Sequence, residues 1–135
     1  MIFVDTSFWV ALRNRRDQRH QEASTLLAAH HASPLVTTNH VRGETWTFLR
    51  RRAGHLAAVG FLDALDRSPR VRVVMATPDV ENEALRWLRR HDEGEYSFVD
   101  ATSFATMRSM RIRMALAFDG DFAAAGFQEL RPPHN

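Results

Sequence analysis

Short apolar runs alternate along the chain with segments of helical length, and this alternation constrains the fold more than any other feature. The apolar runs predict strands, and the longer segments have helical spacing of apolar residues, interrupted by proline and glycine. The predicted strands cover 2–4, 35–37, 71–74, 114–118 and 127–130, and the predicted helices cover 8–13, 18–31, 39–53, 55–66, 79–90 and 97–110. Strands that alternate with helices favour a parallel sheet with helices on both faces. The prediction is therefore an α/β domain of three layers, α/β/α, with a central, mostly parallel sheet of four to five strands.

The length of the chain predicts a single domain over residues 1–135, because compact domains commonly have about 100 to 150 residues. No segment approaches the ~18 consecutive apolar residues that cross a bilayer, and no charged-then-apolar leader is evident. We therefore expect a cytoplasmic protein without a membrane segment. The chain has no cysteine, which excludes disulfide bonds and thiolate metal sites.

The basic residues are unusual, since all 18 of them are arginine and the sequence pI is about 10.3. The absence of lysine argues against P-loop enzymes, which need a phosphate-binding lysine. It also argues against receiver domains and haloacid-dehalogenase phosphatases, which place aspartate at strand ends but rely on a lysine. GC-rich codon usage is the favoured explanation of the arginine content. The functional alternative is that arginine clusters bind phosphates through bidentate hydrogen bonds.

Two acidic residues, Asp5 and Asp119, each follow a short apolar run, IFV and MALAF respectively. In open parallel sheets, ligands bind beyond the carboxyl ends of the strands, where the strand order reverses. Each residue also has a structural interpretation. Asp5 is a possible N-cap of a helix that begins near Thr6, and Asp119 is a possible turn residue in the sequence DGD.

Two further acidic residues fall on the apolar stripes of predicted helices. Glu44 lies three residues after Val41 and four before Phe48, and Asp100 lies four residues before Phe104. Partial exposure at the edge of the stripe is the structural alternative for each. For all four acids together, a shared site is favoured, because two carboxylates about 4 Å apart repel by around 4 kcal/mol at an effective dielectric constant of about 20. A bound cation would remove that repulsion.

The residue types around these acids favour a hard divalent cation. Oxygen ligands, without cysteine and without a closely spaced histidine pair on a helix, suit Mg²⁺, with Mn²⁺ as a substitute. An acidic metal pocket in an arginine-rich protein suits a phosphodiester, because this substrate is itself an anion. The sequence therefore predicts metal-dependent phosphodiester hydrolysis.

Four blocks of the sequence, FVDTSFW, TTNHVRGETWTFL, YSFVDATSFATM and AFDGDF, resemble the motifs of PIN-domain ribonucleases in order, residue type and placement on strands or helices. The resemblance spans nearly the whole chain and is to the VapC toxins of type II VapBC toxin–antitoxin systems. It implies that Asp5, Glu44, Asp100 and Asp119 are catalytic and surround a Mg²⁺ site, with Asp5 and Asp100 as the most direct ligands. The family often has threonine or serine where this chain has Ala117, which leaves the number of metal ions open.

Other residues match supporting positions of the family. Thr6 and Ser97 match small hydroxyl residues that support the acids or a water on the metal, and Asp121 is expected to assist the last acid. Three arginines, Arg50, Arg51 and Arg52, end the predicted helix that carries Glu44 and are candidate RNA-binding residues. The alternative is a solvated helix end, where positive charge is favoured.

The resemblance implies a Mg²⁺-dependent endoribonuclease that acts as a toxin and cleaves structured RNA of the translation machinery. The blocks NHVRGETWTFLRRR and EYSFVDATSFA favour the sarcin-ricin loop of 23S rRNA as the target, and a tRNA-cleaving VapC toxin is the alternative. A non-catalytic RNA-binding PIN protein is less favoured, because all four acids are present. The resemblance also implies a cognate VapB antitoxin that blocks the site, and a toxin homodimer.

Overall fold

The computed structural model describes residues 1–133, so the last two residues of the predicted domain, His134 and Asn135, lie outside the described residues. The strands are β1 (Ile2–Val4), β2 (Leu35–Thr38), β3 (Val71–Val74), β4 (Met114–Leu116) and β5 (Gln128–Glu129), and the helices are α1 (Thr6–Arg13), α2 (His20–Ala29), α3 (Asn39–Arg52), α4 (His55–Arg67), α5 (Pro78–Arg90), α6 (Phe98–Met110) and α7 (Asp121–Ala124). Within the described part of the chain, no helix combines the length and the apolar character needed to span a bilayer.

The five strands form one sheet in the order β3-β2-β1-β4-β5, and every neighbouring pair is parallel. All residues of the central strand β1 and of its neighbour β2 are buried, whereas the edge strand β3 is partly exposed. Burial of β1 and β2 explains why they are continuous apolar or small-residue runs rather than alternating ones. The predicted three-layer α/β/α architecture with a parallel sheet is confirmed.

The strand order places a crevice between β1 and β4. From β1 the chain adds β2 and then β3 on one side, and afterwards crosses the sheet to add β4 on the other side. The backbone N–H of Asp5 donates to the carbonyl of Leu116 at 3.0 Å, which joins the carboxyl ends of these two strands. In doubly wound sheets, such a reversal point is where ligands bind.

An aromatic core lies beneath this end of the sheet. The ring of Phe122 packs against Phe3 of β1, with centroids 6.0 Å apart, and against Phe104 of α6, with centroids 4.9 Å apart. All three side chains are fully buried. Burial of each such side chain contributes about 1.5 to 3 kcal/mol. These contacts fix α6 and α7 relative to β1, the three elements that border the crevice.

The predicted bounds differ from the observed ones at a few ends. Helix α1 begins at Thr6 instead of residue 8, because the side chain of Asp5 accepts a hydrogen bond from the N–H of Ser7 and acts as its N-cap. Strand β4 ends at Leu116, two residues earlier than predicted, and β5 covers only Gln128–Glu129. Helix α7 is not predicted at all, because its four residues are too few to show helical periodicity.

Candidate active site

Three of the predicted acids converge at the crevice between β1 and β4. Asp5 follows β1, Asp119 lies three residues beyond the end of β4, and Asp100 lies in the first turn of α6. Each offers one carboxylate oxygen, and these oxygens all lie within 4.8 Å of one another. Asp5 is 2% exposed and Asp100 is 7% exposed, whereas Asp119 is exposed on the open side. We refer to Asp5, Asp100 and Asp119 as the acid cluster.

Burial and mutual repulsion make the acid cluster difficult to ionise. Burial, together with the negative charges of Asp119 and Asp100, raises the pKa of Asp5 to about 8, although hydrogen bonds from Ser7 oppose the shift. Burial also raises the pKa of Asp100 to about 7, against the effect of the Ser97 backbone N–H. Partial burial raises the pKa of Asp119 as well. The cluster therefore holds protons near neutral pH that a bound cation would displace.

The hydroxyl group of Ser7 connects Asp5 to the segment that carries Asp119. The Oγ atom donates to Oδ2 of Asp5 at 2.7 Å and accepts a hydrogen bond from the backbone N–H of Phe118 at 2.9 Å. The resemblance to the family predicts a supporting hydroxyl at Thr6 and does not predict one at Ser7. The signal for Ser7 was present, since serine two residues after an N-cap aspartate lies within reach of its carboxylate.

Thr6 is buried in the wall of the same cleft, and its Oγ1 atom has no hydrogen-bond partner among residues 1–133. A buried hydroxyl normally has a partner, since leaving one unpaired costs about 1 to 3 kcal/mol. Because Thr6 lies in the cleft wall, a ligand or water in the cleft could form a hydrogen bond with this hydroxyl.

Asp100 is held by the N-terminal capping box of α6. Its backbone N–H donates to Oγ of Ser97 at 2.9 Å, and the backbone N–H of Ser97 donates to Oδ2 of Asp100 at 3.1 Å. This reciprocal pair fixes one carboxylate oxygen of Asp100. Ser97 therefore supports Asp100 directly.

Asp119 lies in a tight turn between β4 and α7. Its Oδ1 atom accepts a hydrogen bond from the backbone N–H of Asp121 at 3.1 Å, and Gly120 between them has a φ of +82°. A side chain at that backbone conformation is strained, so glycine suits the position. The structural interpretations of Asp5 as an N-cap and of Asp119 as a turn residue both hold, and both residues are also in the acid cluster. The hydrogen bonds of the N-cap and of the turn therefore hold the carboxylates of Asp5 and Asp119 at the site.

The acid cluster opens into a cleft of about 480 Å³. Its lining residues are Asp5, Thr6, Ser7, Val10, Asp17, Arg19, Glu44, Phe48, Arg52, Glu95, Ser97, Asp100, Phe118, Asp119 and Asp121. Glu44 and Asp121 therefore face the same space, although the group of converging oxygens contains neither of them. Seven carboxylates and two guanidinium groups line the cleft in the described part of the chain. A polyanion can enter only if cations offset this excess of negative charge.

The three candidate arginines at the end of α3 have different positions. Arg52 lines the cleft, with its guanidinium 4.8 Å from the ring centroid of Phe48. Arg50 and Arg51 are exposed in the last turn of α3 and are not among the lining residues. The second arginine of the cleft is Arg19, in the loop before α2, which no sequence pattern singled out.

Comparison with known proteins identifies the family. The family model for the PIN domain matches residues 2–128. The chain belongs to the PIN-domain family. This PIN domain is 60% identical over 133 residues to the 23S rRNA-specific endonuclease VapC20 of Mycobacterium tuberculosis. The alignment covers 98% of this chain and 99% of VapC20. The values are the same for VapC20 of two strains, CDC 1551 / Oshkosh and ATCC 25618 / H37Rv.

The crystal structure of Mycobacterium tuberculosis VapC20, described as a sarcin-ricin loop cleaving toxin, has the same fold. Its TM-score with this PIN domain is 0.93 at 57% sequence identity, and the superposition covers 98% of this chain and 100% of VapC20. The resemblance to PIN-domain VapC toxins that the sequence motifs indicate is confirmed.

The acid cluster of this PIN domain has the chemistry of a site for a hard divalent cation. Its converging donors are carboxylate oxygens, and neither histidine nor cysteine is among the described residues that line the cleft. Such donor sets suit Mg²⁺ and Mn²⁺. The raised pKa values of Asp5 and Asp100 show how poorly their charges are compensated by the protein alone. The residues present therefore fit a divalent metal ion.

Proposed function

We propose that this PIN domain is the toxin of a toxin–antitoxin pair and a metal-dependent endoribonuclease that cleaves the sarcin-ricin loop of 23S rRNA. The acid cluster carries this proposal, because it lies in a domain that aligns from end to end with VapC20, which is named as a 23S rRNA-specific endonuclease. The likeness of the two structures supports the same target, since the cleft shape depends on the whole fold.

Asp5, Asp100 and Asp119 are the residues that would hold Mg²⁺, with Mn²⁺ as a substitute. A divalent ion held by these carboxylates would supply Lewis-acid chemistry, which polarises a phosphodiester oxygen and makes water a stronger nucleophile at neutral pH. Ser7 and Ser97 orient the carboxylates of Asp5 and Asp100 by the hydrogen bonds described above. Glu44 lines the cleft outside the group of converging oxygens. We assign to it the role of the general base that accepts a proton from the attacking water.

Arginine side chains supply the positive charge that RNA needs. Arg52 lines the cleft beside the acids, so its guanidinium is placed to bind a phosphate of the substrate through paired N–H donors. Arg50 and Arg51 are exposed in the same helical turn and would bind phosphates farther along the RNA. These contacts position the RNA backbone and contribute affinity that decreases with salt.

The proposal implies two protein partners in the cytoplasm. A cognate VapB antitoxin would inhibit the toxin by placing a cation among the acids, because an arginine there supplies the same positive charge as a metal ion. A second copy of the chain would form a homodimer. The exposed apolar side chains of Leu85 in α5 and Phe98 in α6 support an interface on this helix pair.

The function is tested by incubating the purified protein with ribosomes and, separately, with total tRNA, each in Mg²⁺ and in EDTA. We expect a single cut in the sarcin-ricin loop that requires Mg²⁺, and no cut by an Asp5→Asn variant. Cleavage of tRNA with intact rRNA would instead favour the alternative target. Absence of metal-dependent cleavage of either RNA would contradict the proposal.

A further inference from the structure

We infer that Arg19 binds a phosphate of the RNA beside the scissile one, and that the ring of Phe118 positions its guanidinium for this contact. The inference rests on the proposed function and adds a substrate-binding residue to it. Both residues line the cleft that contains the acid cluster, and the guanidinium carbon of Arg19 lies 4.9 Å from the ring centroid of Phe118.

Phe118 has a fixed position relative to the acids. Its backbone N–H donates to Oγ of Ser7, and this hydroxyl also donates to Asp5. Its ring packs against Phe8 of α1, with centroids 5.6 Å apart. It also directly precedes Asp119 in the chain. A guanidinium that stacks on this ring is therefore placed at a defined position beside the acid cluster.

A second guanidinium, that of Arg131, also lies over Phe118, at 5.2 Å from the ring centroid. Three of its five N–H groups are already used, because it donates to the carbonyl of Ala117 at 2.7 Å, to the carbonyl of Leu130 at 2.8 Å and to Glu129 at 2.9 Å. Arg131 therefore holds the chain after β5 in place, and it does not line the cleft.

The donors of Arg19 are largely available. Its side chain has one polar contact among the described residues, from Nη1 to Glu22 at 3.3 Å, and an exposed pair of this kind contributes little to stability. The cation–π contact with the Phe118 ring does not use the N–H groups of Arg19 as donors to an oxygen acceptor, so they stay available for a ligand. The paired N–H groups of a guanidinium match the paired oxygens of a phosphate.

The charge of the residues that line the cleft favours a contact between Arg19 and a phosphate. Arg19 and Arg52 are the two cationic residues among its fifteen described lining residues, against seven acids. Arg52 repeats the arrangement, since it stacks on Phe48 at 4.8 Å from the centroid. The two arginines belong to different elements, the loop before α2 and the end of α3. An RNA strand that crosses the cleft would therefore meet one stacked arginine from each.

The test compares Arg19→Gln with Arg16→Gln in steady-state cleavage of a sarcin-ricin-loop hairpin over a range of salt concentrations. Arg16 lies in the same loop and is exposed, but it does not line the cleft, so its replacement changes the net charge equally. We expect Arg19→Gln to raise KM about tenfold, with kcat within about twofold of the parent, as for loss of one charged hydrogen-bonded contact. The slope of log affinity against log salt should decrease by about one.

Arg16→Gln should match the parent in KM, and both variants should keep the parent's Mg²⁺ concentration for half-maximal rate. Arg19→Lys should retain the salt slope but recover only part of the affinity, because an ammonium group lacks the planar stack on Phe118. Equal KM values and equal salt slopes for Arg19→Gln and Arg16→Gln would overturn the inference. A decrease in kcat for Arg19→Gln with an unchanged KM would also overturn it. Cleavage of the hairpin by the parent is the separate test of the proposed function.

Discussion

At the scale of single residues, the Ser7 hydroxyl connects two parts of the site. It binds a carboxylate that burial makes costly to ionise, and it also binds the backbone of the strand end that leads to Asp119. The two segments that carry Asp5 and Asp119 are therefore joined by one side chain. Partners that orient metal ligands in this way are commonly worth 10- to 100-fold in affinity or activity, as an order of magnitude.

Replacing Ser7 by alanine should therefore raise the Mg²⁺ concentration for half-maximal cleavage and lower the rate about 10- to 100-fold. The stability loss should be only about 1 kcal/mol, because one hydrogen-bonding side chain is removed. The measurement is the rate of RNA cleavage as a function of Mg²⁺ concentration.

Ser24→Ala is the matched control for Ser7, since its hydroxyl donates to the His20 carbonyl within α2 and does not line the cleft. This variant should keep the parent's Mg²⁺ dependence. If Ser7→Ala and Ser24→Ala had the same cleavage rate and Mg²⁺ dependence, the hydrogen bond between Ser7 and Asp5 would not contribute to activity.

At the scale of secondary-structure elements, helix starts place the acids. Asp5 is the N-cap of α1 and Asp100 belongs to the capping box of α6. Ser97→Ala should reduce stability by about 1 kcal/mol, as is usual for loss of a cap. It removes the Oγ that accepts from the backbone N–H of Asp100 and keeps the backbone N–H that donates to the Asp100 carboxylate. Because half of the capping box is lost, Asp100 is held less firmly, and we expect slower cleavage and a higher Mg²⁺ requirement. Thermal melts and cleavage rates measure the two effects separately.

Thr77→Ala provides the comparison for Ser97. The hydroxyl of Thr77 caps α5 by accepting from the N–H of Val80, and it lies outside the cleft. This variant should lose about the same stability while its cleavage rate remains that of the parent. Equal losses of cleavage in both variants would show that the cap of α6 acts through stability alone.

Local pattern was sufficient to predict most elements, because apolar periodicity and proline or glycine breaks operate over neighbouring residues. It also selected the acids, since a carboxylate on an apolar stripe or at a strand end is conspicuous. It did not predict α7, which is shorter than two helical turns. Nor did it predict the contacts of Ser7 and Arg19 with Phe118, because these join residues far apart in the chain.

At the scale of the whole molecule, the fold concentrates negative charge at one point of a chain whose net charge is +2. The strand order brings the ends of β1 and β4 together, and the core beneath them prevents the acids from separating. The metal-free domain therefore stores electrostatic repulsion, and this has a measurable dependence on pH.

In EDTA, stability should fall as the pH rises from about 5 to about 8. The folded-state pKa values of Asp5 and Asp100 are raised to about 8 and about 7, above the unfolded value of about 4. Between these limits the folded chain binds more protons than the unfolded chain, so raising the pH favours unfolding. Thermal melts across this range should show a smaller decrease for Asp100→Asn than for the parent. An equal or larger decrease in the variant would contradict the pKa assignment.

The acid cluster is proposed to bind a divalent metal ion, and the Mg²⁺-induced change in melting temperature at pH 8 tests this claim. The parent should melt several degrees higher in saturating Mg²⁺ than in EDTA, since about 1 kcal/mol shifts a domain of this size by roughly 2 to 8 °C. Asp100→Asn should melt no lower than the parent in EDTA and should gain almost nothing from Mg²⁺. Asp63→Asn, which replaces an exposed acid of α4, should respond as the parent does. A parent unaffected by Mg²⁺, or an Asp100→Asn variant that melts far lower in EDTA, would contradict the claim.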